Sequence, residues 1–378
     1  NSKIEKSSNQ TSEKQKKDFK ETSKEFEKQS KKIQTTNKET NKKIVDESKI
    51  TGTSLKDTFS GVADEIGISF SNLTKAGVVA GITGLATKAV SSAVDLDKAM
   101  NQFASSTGTS TNELKKYEDV LKNIYGNNYG DDFLDIANAM GEVKKQMGNL
   151  DEATLQNLTE SAFALRDTFE YDVKESVRAS KAMMDNFGIS GEEAMNLIAN
   201  GAQNGLDFSG ELLDSISEYS VQFAKMGFSA DEMFKIFAKG AESGAFNLDK
   251  IGDSVKENAI RVIDYSETTK DAYKQLGLDV DDMSKKFASG GDSARKAFDQ
   301  VMTGLVALDD PIKQNQIGVE LFGTMWEDLG PDVVGALAGI EDGAYGTADA
   351  MNKIKEVKYD DLGSMFEGLT RQLELLLL

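Results

Sequence analysis

The chain has 378 residues, 39% of them hydrophobic and 8% aromatic, which is enough apolar material for a core spread over two or three domains. Its 44 basic and 63 acidic residues leave a formal charge of -19, which repels nucleic-acid phosphates over most of the surface and excludes a general DNA or RNA binder. There is no histidine and no cysteine, which removes His-assisted serine or cysteine nucleophiles, imidazole and thiolate zinc sites, c-type haem attachment and disulfides.

Only two prolines interrupt the chain, Pro311 and Pro331, and Ala, Lys, Glu, Met and Leu are plentiful, so long helical stretches are permitted. The sequence starts at Asn1 and closes on Leu375-Leu-Leu-Leu378, and it reads as a fragment of a longer protein. Residues 1–50 carry 14 Lys and 9 acidic residues, a local balance of +5 against the acidic remainder. Within this arm Phe19, Phe26 and Ile33 fall at sevenfold spacing, as one edge of a helix meeting a partner helix requires. They are candidates for self-association. A solvated tail and a helix that orders in an assembly both remain open.

Residues 51–94 form a second segment, a Gly/Ser-rich linker followed by a run of small and β-branched residues from Ala76 to Val94. Lys88 and several Thr and Ser lie inside that run, which weakens it as a lone membrane span. Its Gly77, Gly81 and Gly84 allow close helix approach, either in a protein bundle or in lipid.

Residues 95–305 hold a repeat. Gly108, Gly148, Gly188, Gly227 and Gly277 step by 40, 40, 39 and 50 residues. Each glycine can take the left-handed conformation that closes one helix, and a Ser or Asp soon after it can cap the next. Ser110 with Glu113, Ser190 with Glu193 and Ser229 with Glu232 have capping-box spacing, and Asp279 stands at the cap of the Gly277 corner. Apolar residues between corners keep helical spacing, as in Leu212, Leu213, Ile216, Tyr219 and Phe223. A second break in each unit, such as Asn204–Ser209 or Ser243–Asn247, divides about 40 residues into two helices. The fold class is therefore all-α: repeated helical hairpins in a small solenoid or bundle, preceded by an extended or coiled-coil-like helix. Residues 306–378 read as a Gly-interrupted helical segment, with a loop after Pro311, a helix near Val319–Trp326, a break at Gly330-Pro331 and an amphipathic stretch from Val357.

The chemistry-bearing motifs are missing. Gly84-Leu-Ala-Thr-Lys88 lacks phosphate-loop spacing, and Asp279-Val-Asp-Asp282 lacks the calcium-loop layout. With 63 acidic residues, accidental carboxylate pairs carry no information. Met183, Met184, Met195, Met226 and Met233 sit on apolar helix faces as adaptable core. No catalytic, cofactor-binding or metal site is assigned, and no enzyme or cofactor is expected.

Asp95-Leu-Asp-Lys-Ala-Met100, Thr107-Gly-Thr-Ser-Thr-Asn-Glu-Leu114, Gly201-Ala-Gln-Asn-Gly-Leu-Asp-Phe-Ser209, Phe246-Asn-Leu-Asp-Lys-Ile-Gly-Asp-Ser-Val-Lys-Glu257 and Ile260-Arg-Val-Ile-Asp-Tyr-Ser266 come in an order that resembles the core of phage tail tape measure proteins. The resemblance covers roughly residues 75–340 and fits Gram-positive phages, prophages and phage-tail-like particles. Leu96 departs from it, where that family more often has Phe-Glu. The resemblance implies a mainly helical structural protein in the lumen of the virion tail that sets tail length and is ejected ahead of DNA. It implies synthesis and assembly in the bacterial cytoplasm. Implied partners are further copies of itself in threefold number, the tail tube protein, tail assembly chaperones and baseplate or distal tail proteins, with a host membrane or defence receptor as further candidates. A helical-repeat binding or adaptor module and a membrane-active translocation factor are the competing readings.

Overall fold

The computed structural model describes residues 92–340, 343–359 and 362–378. Phe19, Phe26, Ile33, Gly77, Gly81 and Gly84 lie outside the described residues. Two compact units are separated by their contacts, Asp95–Gln372 and a smaller one of Asn1–Val94 with Leu373–Leu378. In the smaller unit the Ser92 hydroxyl donates to the buried Glu374 carboxylate.

Among the described residues there are sixteen helices and no strand. The first, α1, spans residues 92–107. Eight more follow as four pairs: α2 (Leu114–Gly126) with α3 (Phe133–Met147), α4 (Glu152–Phe169) with α5 (Val173–Phe187), α6 (Gly191–Gln203) with α7 (Leu212–Lys225), and α8 (Ala230–Glu242) with α9 (Leu248–Arg261). Helices of like position stack. In one row α2 packs on α4, α4 on α6 and α6 on α8; in the other α3 packs on α5, α5 on α7 and α7 on α9. A lone hairpin would leave its apolar stripe wet, and this stacking removes it from water.

The buried stripe is aromatic-rich. Phe163, Phe223, Phe234 and Phe237 are fully buried, and the Phe223 ring meets Phe237 edge-on with centroids 5.5 Å apart. Close approach of the rows depends on small residues: a Cβ on Gly252 of α9 would lie 2.2 Å from the Tyr219 ring of α7. That tyrosine's hydroxyl donates to Asp249 and Asp253, so the one polar atom on a buried ring is satisfied.

The next helices are α10 (Glu267–Gln275), α11 (Val280–Ser289), α12 (Gly291–Val306), α13 (Pro311–Phe322) and α14 (Thr324–Gly335). α13 and α14 pack on α9 and close that end of the stack, while at the other end the Phe103 ring of α1 lies 5.0 Å from that of Tyr117 in α2. Two points differ from the sequence reading. Residues after Pro311 form a helix, because Asp310 caps it and proline at the first helical position forfeits no hydrogen bond. Gly330-Pro331 is a kink inside α14, with Gly330 at φ 77°, and the break between helices falls at Gly323.

The chain then runs back. Residues 343–349 lead into α15 (Ala350–Tyr359), which lies across α4 and α6, and then into α16 (Leu362–Leu377). The last amphipathic stretch is thus two helices, the first starting ahead of Val357.

Candidate functional site

Each corner glycine of the repeat has positive φ: 67° at Gly108, 85° at Gly148, 72° at Gly188, 82° at Gly227 and 73° at Gly277. After four of them a side chain caps the next helix. Asp151 accepts from Thr154 N–H, Ser190 from Glu193 N–H, Ser229 from Glu232 N–H and Asp279 from Asp282 N–H. At Ser190 and Ser229 the glutamate reaches back, its Oε2 accepting the serine N–H at 2.8 Å, so two orphan amides are satisfied at once. The first corner is built differently. Glu113 is the N-cap of α2, its N–H goes to the Ser110 carbonyl, and the Ser110 hydroxyl donates to Glu113 Oε2 at 2.8 Å. An extra turn there gives the amide a backbone acceptor, which leaves the hydroxyl nothing to cap.

Two corners also serve as docking points. A Cβ on Gly227 would sit 2.0 Å from the Gly291 carbonyl oxygen at the start of α12. Beside it Glu232 is 5% exposed and accepts from Arg295 Nε at 2.9 Å, and the Arg295 guanidinium lies 4.8 Å from the Phe228 ring centre. The Ser190–Glu193 corner instead faces the returning chain, across a polar cavity of about 470 Å³ that is also lined by Asn196, Asp231, Tyr345 and Asn352.

The returning chain is held by a ladder of side chains at one register. Asn157, Asn196 and Lys235 are each the sixth residue of α4, α6 and α8. Lys235 Nζ donates to the Gly343 carbonyl at 2.8 Å, and Asp231 accepts the Tyr345 N–H at 2.7 Å. One turn before the ladder position of the next helix, Asn200 takes both peptide groups of Thr347: its Nδ2 donates to the carbonyl at 2.8 Å and its Oδ1 accepts the N–H at 2.9 Å. Asn196 Nδ2 donates to the same carbonyl at 2.8 Å, and its Oδ1 accepts the Met351 N–H at 3.1 Å, which caps the first turn of α15. Asn157 then accepts from Lys355 Nζ at 2.8 Å.

Further along, Tyr359 donates to Asp167 at 2.6 Å, and the buried Arg371 of α16 donates to the carbonyls of Tyr129 and Gly130 at 2.9 and 2.8 Å. Burial pushes the Lys355 ammonium below its ordinary pKa, while Glu160 and Glu192 pull it back up. Burial, and then the hydrogen bond to Asp167, hold Tyr359 well above the usual phenol range. The sequence reading missed this ladder. Its signal was present as a polar residue recurring six places after each N-cap, Asp151, Ser190 and Ser229.

Chemically the site offers amides, carboxylates and ammonium groups aimed at peptide groups. Among the described residues no group of three or more His, Cys, Asp or Glu is placed to hold a metal ion, and no helix is long and apolar enough to cross a membrane.

Comparison with known proteins gives the stacked helices a family. The model of the phage-related minor tail protein family matches residues 124–323, from α2 through to Gly323 beyond α13. Over 190 residues the chain is 39% identical to a probable tape measure protein of Streptomyces phage phiC31, a stretch that covers 48% of this chain and 25% of that protein. Over 244 residues it is 38% identical to the uncharacterized protein YqbO of Bacillus subtilis strain 168, covering 64% of this chain and 15% of that one. The chain thus spans a minor part of the length of both relatives. No solved structure matches it. The chain belongs to the phage-related minor tail protein family.

Proposed function

We propose that this chain is a section of a tape measure protein, occupying the lumen of the tail tube, setting the tail's length and leaving ahead of the DNA. The observation that carries the reading is the 39% identity to the probable tape measure protein of phage phiC31, which falls on a polypeptide made of stacked helices. A ruler works through length and contact, and the helical rows supply both without a reactive group. In this reading the section is not an enzyme. Its partners are further copies of itself, in threefold number, together with the tail tube protein, the assembly chaperones and the baseplate or distal tail proteins. It is made and assembled in the host cytoplasm. The compact hairpins are one state, and confinement in the tube draws them into longer helices. At the α-helical rise, 378 residues would span roughly 570 Å.

The test is an in-frame deletion of α4 and α5 in the phage gene, with tail lengths measured by electron microscopy. A ruler predicts shorter tails, by about 54 Å if the deleted section runs as extended helix. Tails of unchanged length would remove the ruler role and favour the second reading, a helical-repeat binding module. That alternative is supported by the main-chain-directed ladder on α4, α6 and α8.

A further inference from the structure

The ladder on α4, α6 and α8 recognises a backbone path more than a side-chain sequence. Asn200 is 3% exposed, yet both ends of its amide are directed at the peptide groups of Thr347. Asn196, Asp231 and Lys235 likewise engage main-chain atoms of Met351, Tyr345 and Gly343. Selectivity for side chains enters at a few points. A Cβ on Gly346 would lie 2.2 Å from Asn200 Oδ1, so the occupant needs glycine there. Its neighbour Tyr345 sets its ring 5.4 Å from that of Phe234, and Met351 and Ile354 are buried as apolar anchors. Charge agrees with the path, since Lys355 meets Asn157 and faces Glu160 and Glu192.

The occupant is joined to the rest of the chain through glycines. Gly339 and Gly343 have φ 65° and 115°, and a Cβ on either would strike nothing closer than 3.9 Å. Such positions can absorb a large backbone rotation without steric opposition.

We propose that this groove is an interaction surface for residues 343–359 of a second copy of the chain, so that copies join by exchanging this segment. An exchanged segment makes every groove contact of the closed form, so exchange loses no interaction and is governed by the hinge and by local concentration. The inference rests on the self-association in the proposed function for bringing copies together, and it names the surface by which they meet.

The test uses the full chain, which has no native cysteine. Glu192→Cys on α6 and Asn352→Cys on α15 place exposed thiols on two walls of the same cavity. Two differently tagged chains, one with each substitution, are coexpressed, purified and treated with a short bismaleimide. Exchange yields a two-chain product that carries both tags. Adding Asn200→Ala to the Glu192→Cys chain, or Gly346→Ala to the Asn352→Cys chain, lowers its yield about tenfold, the effect of one lost hydrogen bond at the upper end of its usual range. Helical circular dichroism checks that each variant is folded.

A chain with both thiols crosslinks within itself and reports the closed form. If that chain crosslinks internally while the mixture gives no two-tag product, exchange is overturned. A two-tag product that neither Asn200→Ala nor Gly346→Ala diminishes also overturns it, because the copies then meet elsewhere. Loss of the ruler role would appear in tail length and leave these crosslinks as they are.

Discussion

Replacing Asn200 with alanine removes three hydrogen bonds: two to Thr347, at 2.8 and 2.9 Å, and one from Nδ2 to the Asn196 carbonyl at 2.9 Å. The Thr347 carbonyl keeps Asn196 Nδ2, and Thr347 is exposed, so water can reach its freed N–H. With about 1 kcal/mol for each bond to Thr347, the expected cost is about 2 kcal/mol, or about thirtyfold in an opening equilibrium. That cost falls on the returning segment before it falls on the helical rows, since the segment is held at separate points. Native-state hydrogen exchange is the direct assay, read at the amides of Thr347 and Met351, with a core amide such as that of Phe237 as reference. Asn196→Ala should have a similar effect. The double variant should exceed the sum of the two, because each asparagine covers for the other at the Thr347 carbonyl. Exchange at Thr347 within about twofold of the native rate would refute the reasoning, since a main-chain clamp whose loss costs under about 0.5 kcal/mol is not what holds the segment.

Glycine at two corners separates strain from collision. Gly188→Ala costs the left-handed penalty alone, about 1 to 2 kcal/mol, whereas Gly227→Ala adds a clash with the Gly291 carbonyl and costs about 2 to 5 kcal/mol, and equal urea midpoints would contradict this. Ser229→Ala should cost about 1 kcal/mol in the same assay, while Ser110→Ala, whose hydroxyl caps nothing, stays within about 0.5 kcal/mol. Burial holds the phenols of Tyr129, Tyr171, Tyr219 and Tyr273 above their ordinary pKa. The unfolded chain therefore ionises first, near pH ~10, and stability falls as pH rises beyond it by about 1.4 kcal/mol per unit for each ring. A melting temperature that stays flat from pH 9 to about 11 would count against it.

The helical corners were legible because their determinants are local. Gly188, Ser190 and Glu193 lie within six residues of one another, and the same spacing at Gly227, Ser229 and Glu232 turned one cap into a repeat. Stacking followed from the size of the unit, which cannot bury its own apolar stripe. Ser110 was misread because spacing alone does not say whether an amide already has a backbone acceptor. Pro311 was ambiguous for a related reason: proline both stops helices and starts them, and Asp310 immediately before it decided the matter. The ladder was hidden by distance. Asn196 and Thr347 are 151 residues apart, so the recurrence of a polar side chain six places after each cap was visible, yet nothing near it in the chain named what it holds.

The account stands most directly on where this section resides in the particle. Cryo-electron microscopy of intact tails and of tails after DNA release, with mass spectrometry of both for peptides from residues 95–372, tests it in one comparison. The account predicts helical density filling the tube of intact tails, with both the density and these peptides lost once the DNA has left. Peptides retained in emptied tails, or density for this chain on the outside of the tube, would contradict it.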